Sequence, residues 1–427
     1  MLTVAYLANQ FPVAVEPYVV EEIRELRRRG VRVISGSVRK SIRAQDLPAD
    51  FSRGPDNVCL EPLHVMVLLH AAVLMAKRWK LISRLVKRAL LQGRENLRAR
   101  LMALLHTWLG AYYAILLQDL DVDHIHVHHG YFGSWIGMTA ARLLGVSFSM
   151  TLHGSDLLLH PAYLDEKLRN CRFCITISEY NRRLILQHFA ELNPESVILS
   201  KLGVDIAAAR IESDPFNSTR RKFTLFTAGR LHAVKNHSFL VCACARLRDL
   251  GLEFNCLIAG EGPERQRLES LIRGHRLQDC ITLLGHVAPK NINSLYRNAD
   301  LFVLTSLSEG IPLVLMEAMA NDLIVLAPAI TGIPELISHE KTGYLYQPGS
   351  TDEFVEKVLA VHFMTEKCRS AETLQHIRIA ARMNVFNDFN RQKNLNQFAD
   401  SFLQSISPQC WSSPDENPVL QQVQLSL

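Results

Sequence analysis

At 427 residues, with 48% apolar and 21% charged side chains, the chain is long enough for two domains with full cores and is too apolar for disorder. A formal net charge of +5 is modest for this length and gives no ground for a nucleic-acid partner, so any basic partner surface must be local. Nine cysteines, an odd number, show no paired metal spacing; Cys171 and Cys174 lead into an apolar strand and Cys242 and Cys244 fall in an apolar helix, so core packing in a reducing compartment is expected.

The opening MLTVAYLANQF has no basic leader and its apolar run is too short for a signal peptide, which places the expected protein in the cytoplasm, soluble or peripheral. Leu2 to Leu7 predicts a strand, Val19 to Arg29 a helix through Val20, Ile23 and Leu26 that stops at Gly30, and Val31 to Ile34 the next strand. That order predicts a parallel sheet with helices packed on it. Val65 to Arg100 reads as helical. Between Lys77 and Arg100, nine Lys or Arg meet only Glu95, with Leu81, Ile82, Leu85 and Val86 interleaved among Lys80, Arg84, Lys87 and Arg88. Two readings stay open: a helix lying on an anionic membrane surface, or a core-facing helix with a solvated basic side. Leu101 to Gln118 lacks Asp, Glu, Lys and Arg, but His106, Thr107 and Gly110 interrupt it, and it reads as a buried helix rather than a span.

Asp121 to Gly130 predicts a strand with His124, His126 and His128 on one face. Side chains along a single strand point in parallel, so no metal site is expected from them. Strand ends open onto the ligand crevice of a parallel sheet, which makes His128, His129 and Gly130 candidates for a ligand site. Phe148 to Leu152 is a further strand, ending in His153-Gly154-Ser155-Asp156; Cys174 to Ser178 and Ser196 to Leu199 follow. A polar linker, Glu212 to Lys222, divides an N-terminal domain over 1–211 from a second domain over 223–372.

In the second half Phe223 to Ala228 predicts a strand that breaks at Gly229 into a short loop holding two cations, Arg230 and Lys235, before a helix near His237. Asn255 to Ala259 and Ile281 to Leu284 are strands, followed by Gly260-Glu261-Gly262-Pro263 and Gly285-His286-Val287. No G-x-G-x-x-G follows any strand, which argues against a nicotinamide or flavin enzyme. Leu301 to Thr305 predicts a strand leading to a helix with Pro312 as its first residue. Glu309 precedes that helix, Glu317 lies inside it, and the N–H groups of Ile311, Leu313 and Val314 form an anion site between the two carboxylates. The layout suits a ligand with hydroxyls at both ends and phosphate in the middle. Leu323 to Ala327 and the Gly332-Ile333-Pro334-Glu335 turn continue the sheet, helices are predicted over 373–406, and 407–427 reads as a tail.

The segment E-G-I-P-L-V-x-x-E-A-M-A from Glu309, the G-R-L-x-x-x-K-N loop from Gly229 and the H-G-x-D after the strand at Phe148 together resemble family 4 retaining glycosyltransferases of the GT-B fold, over most of residues 1 to 405. The opening loop looks most like the colanic-acid and exopolysaccharide branch, with Val15 and Pro17 in place of its Ser and Thr. The resemblance implies two Rossmann-like α/β domains, parallel sheets facing across a cleft, with C-terminal helices crossing back to the first domain. It further implies that Arg230 and Lys235 neutralise a donor diphosphate beside Gly229 and Gly262, and that Val287 lies near the base. Glu309 and Gly310 would meet the sugar, Ile311 to Val314 including Pro312 and Leu313 the phosphate, and Glu317 the ribose, with His153 at the sugar's other edge. Acceptor contacts would come from Glu16, His129, Gly130 and Asp156. Neither a cofactor nor a metal is implied. The expected reaction moves a hexosyl group from a nucleotide-diphosphate sugar to a hydroxyl of a glycan or lipid-linked oligosaccharide in surface polysaccharide synthesis, on the cytoplasmic face of a membrane. Two alternatives share the architecture: a sugar-nucleotide epimerase and a catalytically silent sugar-nucleotide-binding scaffold.

Overall fold

The structure is a computed structural model and describes residues 1–12, 16–40, 56–92, 95–158, 162–205, 222–366 and 371–407. The linker over 212–221, the tail over 408–427 and Val15 of the opening loop lie outside the described residues. The chain divides into two compact units, one of Met1–Ile177, Arg182–Ser200 and the residues from Leu395 on, the other of Ser178–Asn181 and Lys201–Asn394.

The elements up to residue 200 run β1 (Thr3–Gln10), α1 (Pro17–Arg28), β2 (Arg32–Arg39), β3 (Asn57–Cys59), α2 (Val65–Lys77), α3 (Trp79–Leu91), α4 (Leu97–Leu117), β4 (His124–His128), α5 (Phe132–Leu144), β5 (Ser147–Leu152), α6 (Ser155–Leu158), α7 (Leu164–Asn170), β6 (Phe173–Thr176), α8 (Glu179–His188) and β7 (Val197–Leu199). The strands make one parallel sheet in the order β3-β2-β1-β4-β5-β6-β7. Pro17 begins α1, where its fixed φ suits a helix and its missing N–H costs nothing, and Gly30 at φ +82° lets the chain turn out of the helix into β2. Val19, Val20, Ile23 and Leu26 then bury against Val4, Tyr6 and Val33, as the periodicity demands.

The predicted helical stretch of 65–100 is three helices, because the chain leaves helical geometry at Arg78 and again at Gln92 and resumes it at Leu97 after the Asn96 cap. Of the two readings of its basic part, α3 itself follows the core-facing one: Ile82, Leu85 and Ala89 are fully buried. Arg88 is not on the solvated side, since its guanidinium pairs with Glu95 and Asp165 and lies 4.9 Å over the Tyr163 ring. The apolar surface that does face solvent belongs to its neighbours, Val65, Met66 and Leu69 of α2 and Leu101, Leu105 and Trp108 of α4. By length and composition α4 could cross a membrane, but Ala103, Thr107, Ala111 and Ala114 along one face are buried, and Trp135 donates its indole N–H to the Thr107 hydroxyl at 2.9 Å.

From Phe223 on, the elements are β8 (Phe223–Ala228), α9 (His237–Asp249), β9 (Phe254–Ala259), α10 (Arg265–Gly274), β10 (Ile281–Gly285), α11 (Pro289–Asn298), β11 (Leu301–Val303), α12 (Leu313–Ala320), β12 (Ile324–Pro328), α13 (Ile333–Leu336), β13 (Tyr344–Tyr346), α14 (Thr351–Glu366), α15 (Ala371–Asp388) and α16 (Arg391–Ile406). Their sheet is also parallel, in the order β10-β9-β8-β11-β12-β13. Three local expectations change. Pro312 caps α12 at φ −74°, ψ 125° instead of starting it; its φ would suit a helix, but its ψ is extended and the helix begins at Leu313. The Gly332 turn winds into the short helix α13, with Pro334 in its first turn. The 373–406 stretch breaks at Phe389 and Asn390; Leu374, Ile377, Ala381 and Val385 of α15 bury in the second unit, while Phe398, Ala399 and Phe402 of α16 bury against Tyr6 and Phe173 of the first.

Candidate active site

In each sheet the strand order reverses at one place, between β1 and β4 in the first and between β8 and β11 in the second. The loops leaving adjacent strands there run to opposite sides and open a crevice at the strands' C-terminal ends. The candidate residues fall on these loops: Glu16 follows β1 and His129 and Gly130 follow β4; Gly229 to Lys235 follow β8 and Glu309 to Val314 follow β11.

In the second unit, loops after three strands are laid side by side by glycine. Gly260 has φ +143°, and a Cβ there would lie 1.8 Å from the Gly229 carbonyl oxygen; a Cβ on Gly262 would lie 2.3 Å from that of Leu231. The close approach lets the Gly229 and Leu231 N–H groups donate to Ala259 and Glu261 at 2.9 Å each. Gly229 itself spans the Lys235 stem. A single 3₁₀ turn, Ala233–Lys235, closes on Asn236 in the left-handed region, and the Leu307 N–H and Thr305 hydroxyl bind the carbonyls of Val234 and Lys235 at 2.8 and 3.0 Å. The result is that Lys235 Nζ sits 2.5 Å from Glu309 Oε1. Two residues assigned by resemblance to diphosphate and sugar are thus partners of each other. Arg230 is exposed on the same loop and has no ion pair among the described residues.

Glu309 is held from its other side, where Thr331 donates its hydroxyl to the Glu309 carbonyl at 2.5 Å. Gly310 lies against Gly332, where a Cβ would stand 2.5 Å from the Gly310 oxygen. Ile311 and Pro312 are buried, and the first-turn N–H groups of Leu313 and Val314 have no intrahelical acceptor. Glu317 is half-buried, and the partner a buried carboxylate requires is the Tyr296 hydroxyl of α11, at 2.8 Å. Burial raises its pKa, with Tyr296 and the charge of Arg391 pulling the other way. Val287, after β10, is half-buried against the core of this sheet.

In the first unit a buried carboxylate organises the end of β5. Asp156 is fully buried and accepts from the N–H groups of Gly130 and Gly154 at 2.8 Å, His153 at 3.0 Å and Leu157 at 3.1 Å. It also faces His129 Nδ1 at 3.6 Å, while His129 Nε2 meets Glu16 Oε1 at 3.1 Å. Burial disfavours the His129 imidazolium, but the two carboxylates outweigh it and lift its pKa to about 10. Burial works against the Asp156 carboxylate as well, and the His129 charge holds it well below the usual range. His129 is left-handed, at φ +69°, a strained turn that aims its ring between these acids. His153 packs beside it with the rings tilted, 4.5 Å between centroids, and its pKa is lowered by burial first and by the His129 charge second, which favours the neutral ring.

Several contributors carried no sequence motif. Lys167 of α7 is buried and its Nζ donates to the carbonyls of Gly130, Tyr131 and Ala162 at 2.6, 3.1 and 2.9 Å, pinning the loop after β4. Glu22, buried on the apolar face of α1, receives the Tyr6 hydroxyl at 3.1 Å and stands 3.0 Å from His128 Nε2. The only signal for it was an acid at a core position of an amphipathic helix. The His124, His126 and His128 face is as expected, and each neighbouring hydroxyl of β5 fills it: Ser147 and Ser149 bond His124 at 2.6 Å, and Ser149 and Thr151 bond His126 at 2.7 and 3.0 Å. The strand's histidines do not converge by themselves, but Glu22 brings possible ligand atoms of His126 and His128 within 4.8 Å of its own. The seven cysteines among the described residues are free; Cys174, Cys244 and Cys256 are buried in the cores and burial pushes the half-buried Cys171 thiol up to about 12, but Cys242, expected to pack with Cys244, is exposed on the outer face of α9.

Residues 210–373 match the model of the glycosyl transferases group 1. A putative colanic acid biosynthesis glycosyltransferase, WcaL of Salmonella typhimurium, is 31% identical over 50% of this chain and 52% of its own length. The amylovoran biosynthesis glycosyltransferase AmsK of Erwinia amylovora is 30% identical over 46% and 50%. The chain thus spans about half the length of these curated relatives. The crystal structure of Anabaena HepE in complex with UDP and glucose superimposes with a TM-score of 0.68 at 17% identity, covering 94% of this chain and all of that one, and so shares the fold. Residues 210–373 thus carry the likeness to the group 1 glycosyl transferases, and the two parallel-sheet units have the GT-B fold.

Proposed function

We propose that the protein is a retaining, metal-independent glycosyltransferase that moves a hexosyl group from a nucleotide-diphosphate sugar to a hydroxyl of a glycan or lipid-linked acceptor in exopolysaccharide synthesis. The observation that carries this reading is the β8/β11 switch point, where Arg230, the Lys235–Glu309 pair and the start of α12 meet within the family-matched segment. Breaking a glycosyl–phosphate bond builds negative charge on the leaving diphosphate. Fixed cations and unsatisfied N–H groups stabilise that charge without reorganising. Glu309 is assigned to the sugar hydroxyls, Glu317 to the ribose, and His153 to the sugar by resemblance. In the retaining route the acceptor hydroxyl attacks from the face the phosphate leaves, and a phosphate oxygen takes its proton. The WcaL and AmsK matches favour transfer over epimerisation.

Melting the protein with UDP, GDP, ADP and their hexose conjugates, without added metal, tests the donor. One nucleotide at about 100 times its Kd should stabilise the fold by roughly 2.7 kcal/mol. The shift should vanish in Arg230→Ala, and no shift with any nucleotide would return the silent-scaffold reading.

The site of action proposed is the cytoplasmic side of an anionic membrane. Helices α2, α3 and α4 carry no carboxylate, and Lys77, Lys80 and Lys87 are exposed beside the apolar rows of α2 and α4. Apolar insertion and basic headgroup contacts act together on such a surface, each cation contributing about 1 kcal/mol. The triple Lys77→Gln, Lys80→Gln, Lys87→Gln variant should bind phosphatidylserine vesicles roughly a hundredfold more weakly, read by co-sedimentation; unchanged binding would remove the membrane from the proposal. Arg88 is left intact because its pairs with Glu95 and Asp165 are structural.

A further inference from the structure

We propose that Glu22 and His128 are positioning residues that fix the tautomer of His153, so that His153 presents Nδ1 as a bare acceptor to a donor hydroxyl of the sugar. The inference rests on the assignment of His153 to the sugar and goes beyond it in stating which atom acts and what sets it.

The geometry is a chain of buried groups inside the first unit. Tyr6 donates its hydroxyl to Glu22 Oε2 at 3.1 Å, Glu22 Oε2 lies 3.0 Å from His128 Nε2, and His128 Nδ1 lies 3.2 Å from His153 Nε2. The Glu22 contact is short but off the ring N–H line, so it acts through charge and dipole more than as an aligned hydrogen bond. Tyr6 packs against the His128 ring at 5.5 Å and Tyr18 against His153 at 4.7 Å, which holds both imidazoles in place. Nδ1 of His153 has no hydrogen-bond partner among the described residues.

One proton lies between His128 and His153, and its position decides what His153 offers. A neutral imidazole has one donor and one acceptor. If Nδ1 of a neutral His128 held the proton, its Nε2 lone pair would face the Glu22 carboxylate at 3.0 Å in a water-poor interior, two negative ends together. With the proton on His128 Nε2 the positive end of the N–H bond lies near the carboxylate instead, a favourable charge–dipole contact even off the N–H line. His128 Nδ1 then accepts, His153 Nε2–H donates, and His153 Nδ1 is left with its lone pair. The neutral state of His153 is reinforced by burial and by the adjacent His129 charge. Sugar hydroxyls can donate to such an atom, whereas phosphate oxygens cannot.

The test is ¹⁵N NMR of the full chain labelled at histidine, with Glu22→Gln as the variant. Wild type should show His153 with a pyrrole-type Nε2 and a pyridine-type Nδ1. In Glu22→Gln the side-chain amide can donate to His128 Nε2, so both histidines should switch to Nδ1–H, and kcat should fall by roughly tenfold, the scale of one neutral hydrogen bond. Binding of the nucleotide diphosphate alone should be unchanged. Tyr6→Phe, which keeps the carboxylate, should keep the wild-type tautomers. A wild-type His153 protonated at Nδ1, a doubly protonated His128, or a stoichiometric metal bound to Glu22 and His128 would each overturn the assignment, and these need no variant to fold. A switched tautomer with unaltered kcat would overturn the role in transfer while leaving the transferase reading intact. A protein with no transferase activity but with the expected tautomers would instead remove the reading of function and retain the relay.

Discussion

Lys235→Ala is expected to lower turnover by roughly 10² to 10³, the scale seen when one fixed donor to a developing negative charge is removed. The ammonium is placed by backbone: the 3₁₀ turn of Ala233–Lys235 is closed by Asn236 and tied to the β11 loop through Leu307 and Thr305, so Nζ is already aimed before a donor binds. Its pairing with Glu309 has a further consequence. In the free protein each neutralises the other, and a bound diphosphate must draw on the same ammonium while the sugar hydroxyls take the carboxylate. Alanine therefore removes charge where the leaving group forms and also leaves Glu309 repelling the phosphate. KM for the donor should rise less than kcat falls, because the phosphate charge grows most in the transition state. The steady-state constants, with a melting curve to confirm the fold, decide it; a variant with normal kcat would remove Lys235 from the clamp.

Asp156→Ala should cost about 3 to 5 kcal/mol of stability, the range for removing one partner of a buried charge pair. Four backbone N–H groups lose their acceptor and His129 keeps one carboxylate of two. The pair also fixes the sign of a pH effect. The folded pKa of His129 is raised from 6.5 to about 10, so its stabilisation is complete below about pH 6.5 and is lost as pH rises through about 10. Lys167, buried and lowered from 10.5 to about 7, opposes this in the same window, since the penalty on its charged form fades as pH rises. Comparing wild type with His129→Gln cancels the lysine. The stability difference between the two, from urea midpoints, should be largest near pH 6 and shrink toward pH 10; a difference that grows with pH would mean that His129 is not held as an imidazolium.

The chain's own pattern determined more of the second unit than of the first. Phe223 to Ala228, the helix from His237 and the strand ending at Ala259 lie where the sequence puts them, because short apolar runs bounded by glycine leave a parallel strand little freedom. Helices α5, α10 and α14 and the edge strands β3 and β13 gave no motif, since ordinary packing elements carry none. Arg230, Lys235 and Glu309 could be placed on loops and Glu317 within a helix in advance because short apolar runs and turn residues mark those elements, while the roles given to them came from resemblance. Which groups face which is another matter. That Lys235 meets Glu309, that Tyr296 serves Glu317, that Asp156 takes the N–H of Gly130, and that Glu22 stands behind His128 all join residues 21 to 106 positions apart. The same limit held for the basic stretch, where the sequence allowed two readings of α3 and only burial assigned Ile82, Leu85 and Ala89 to the core and Arg88 to Glu95 and Asp165. Periodicity records which face of an element is apolar; strand order and helix docking decide which polar group from a distant part of the chain that face will meet, and the charge state of a buried histidine or carboxylate depends on that partner.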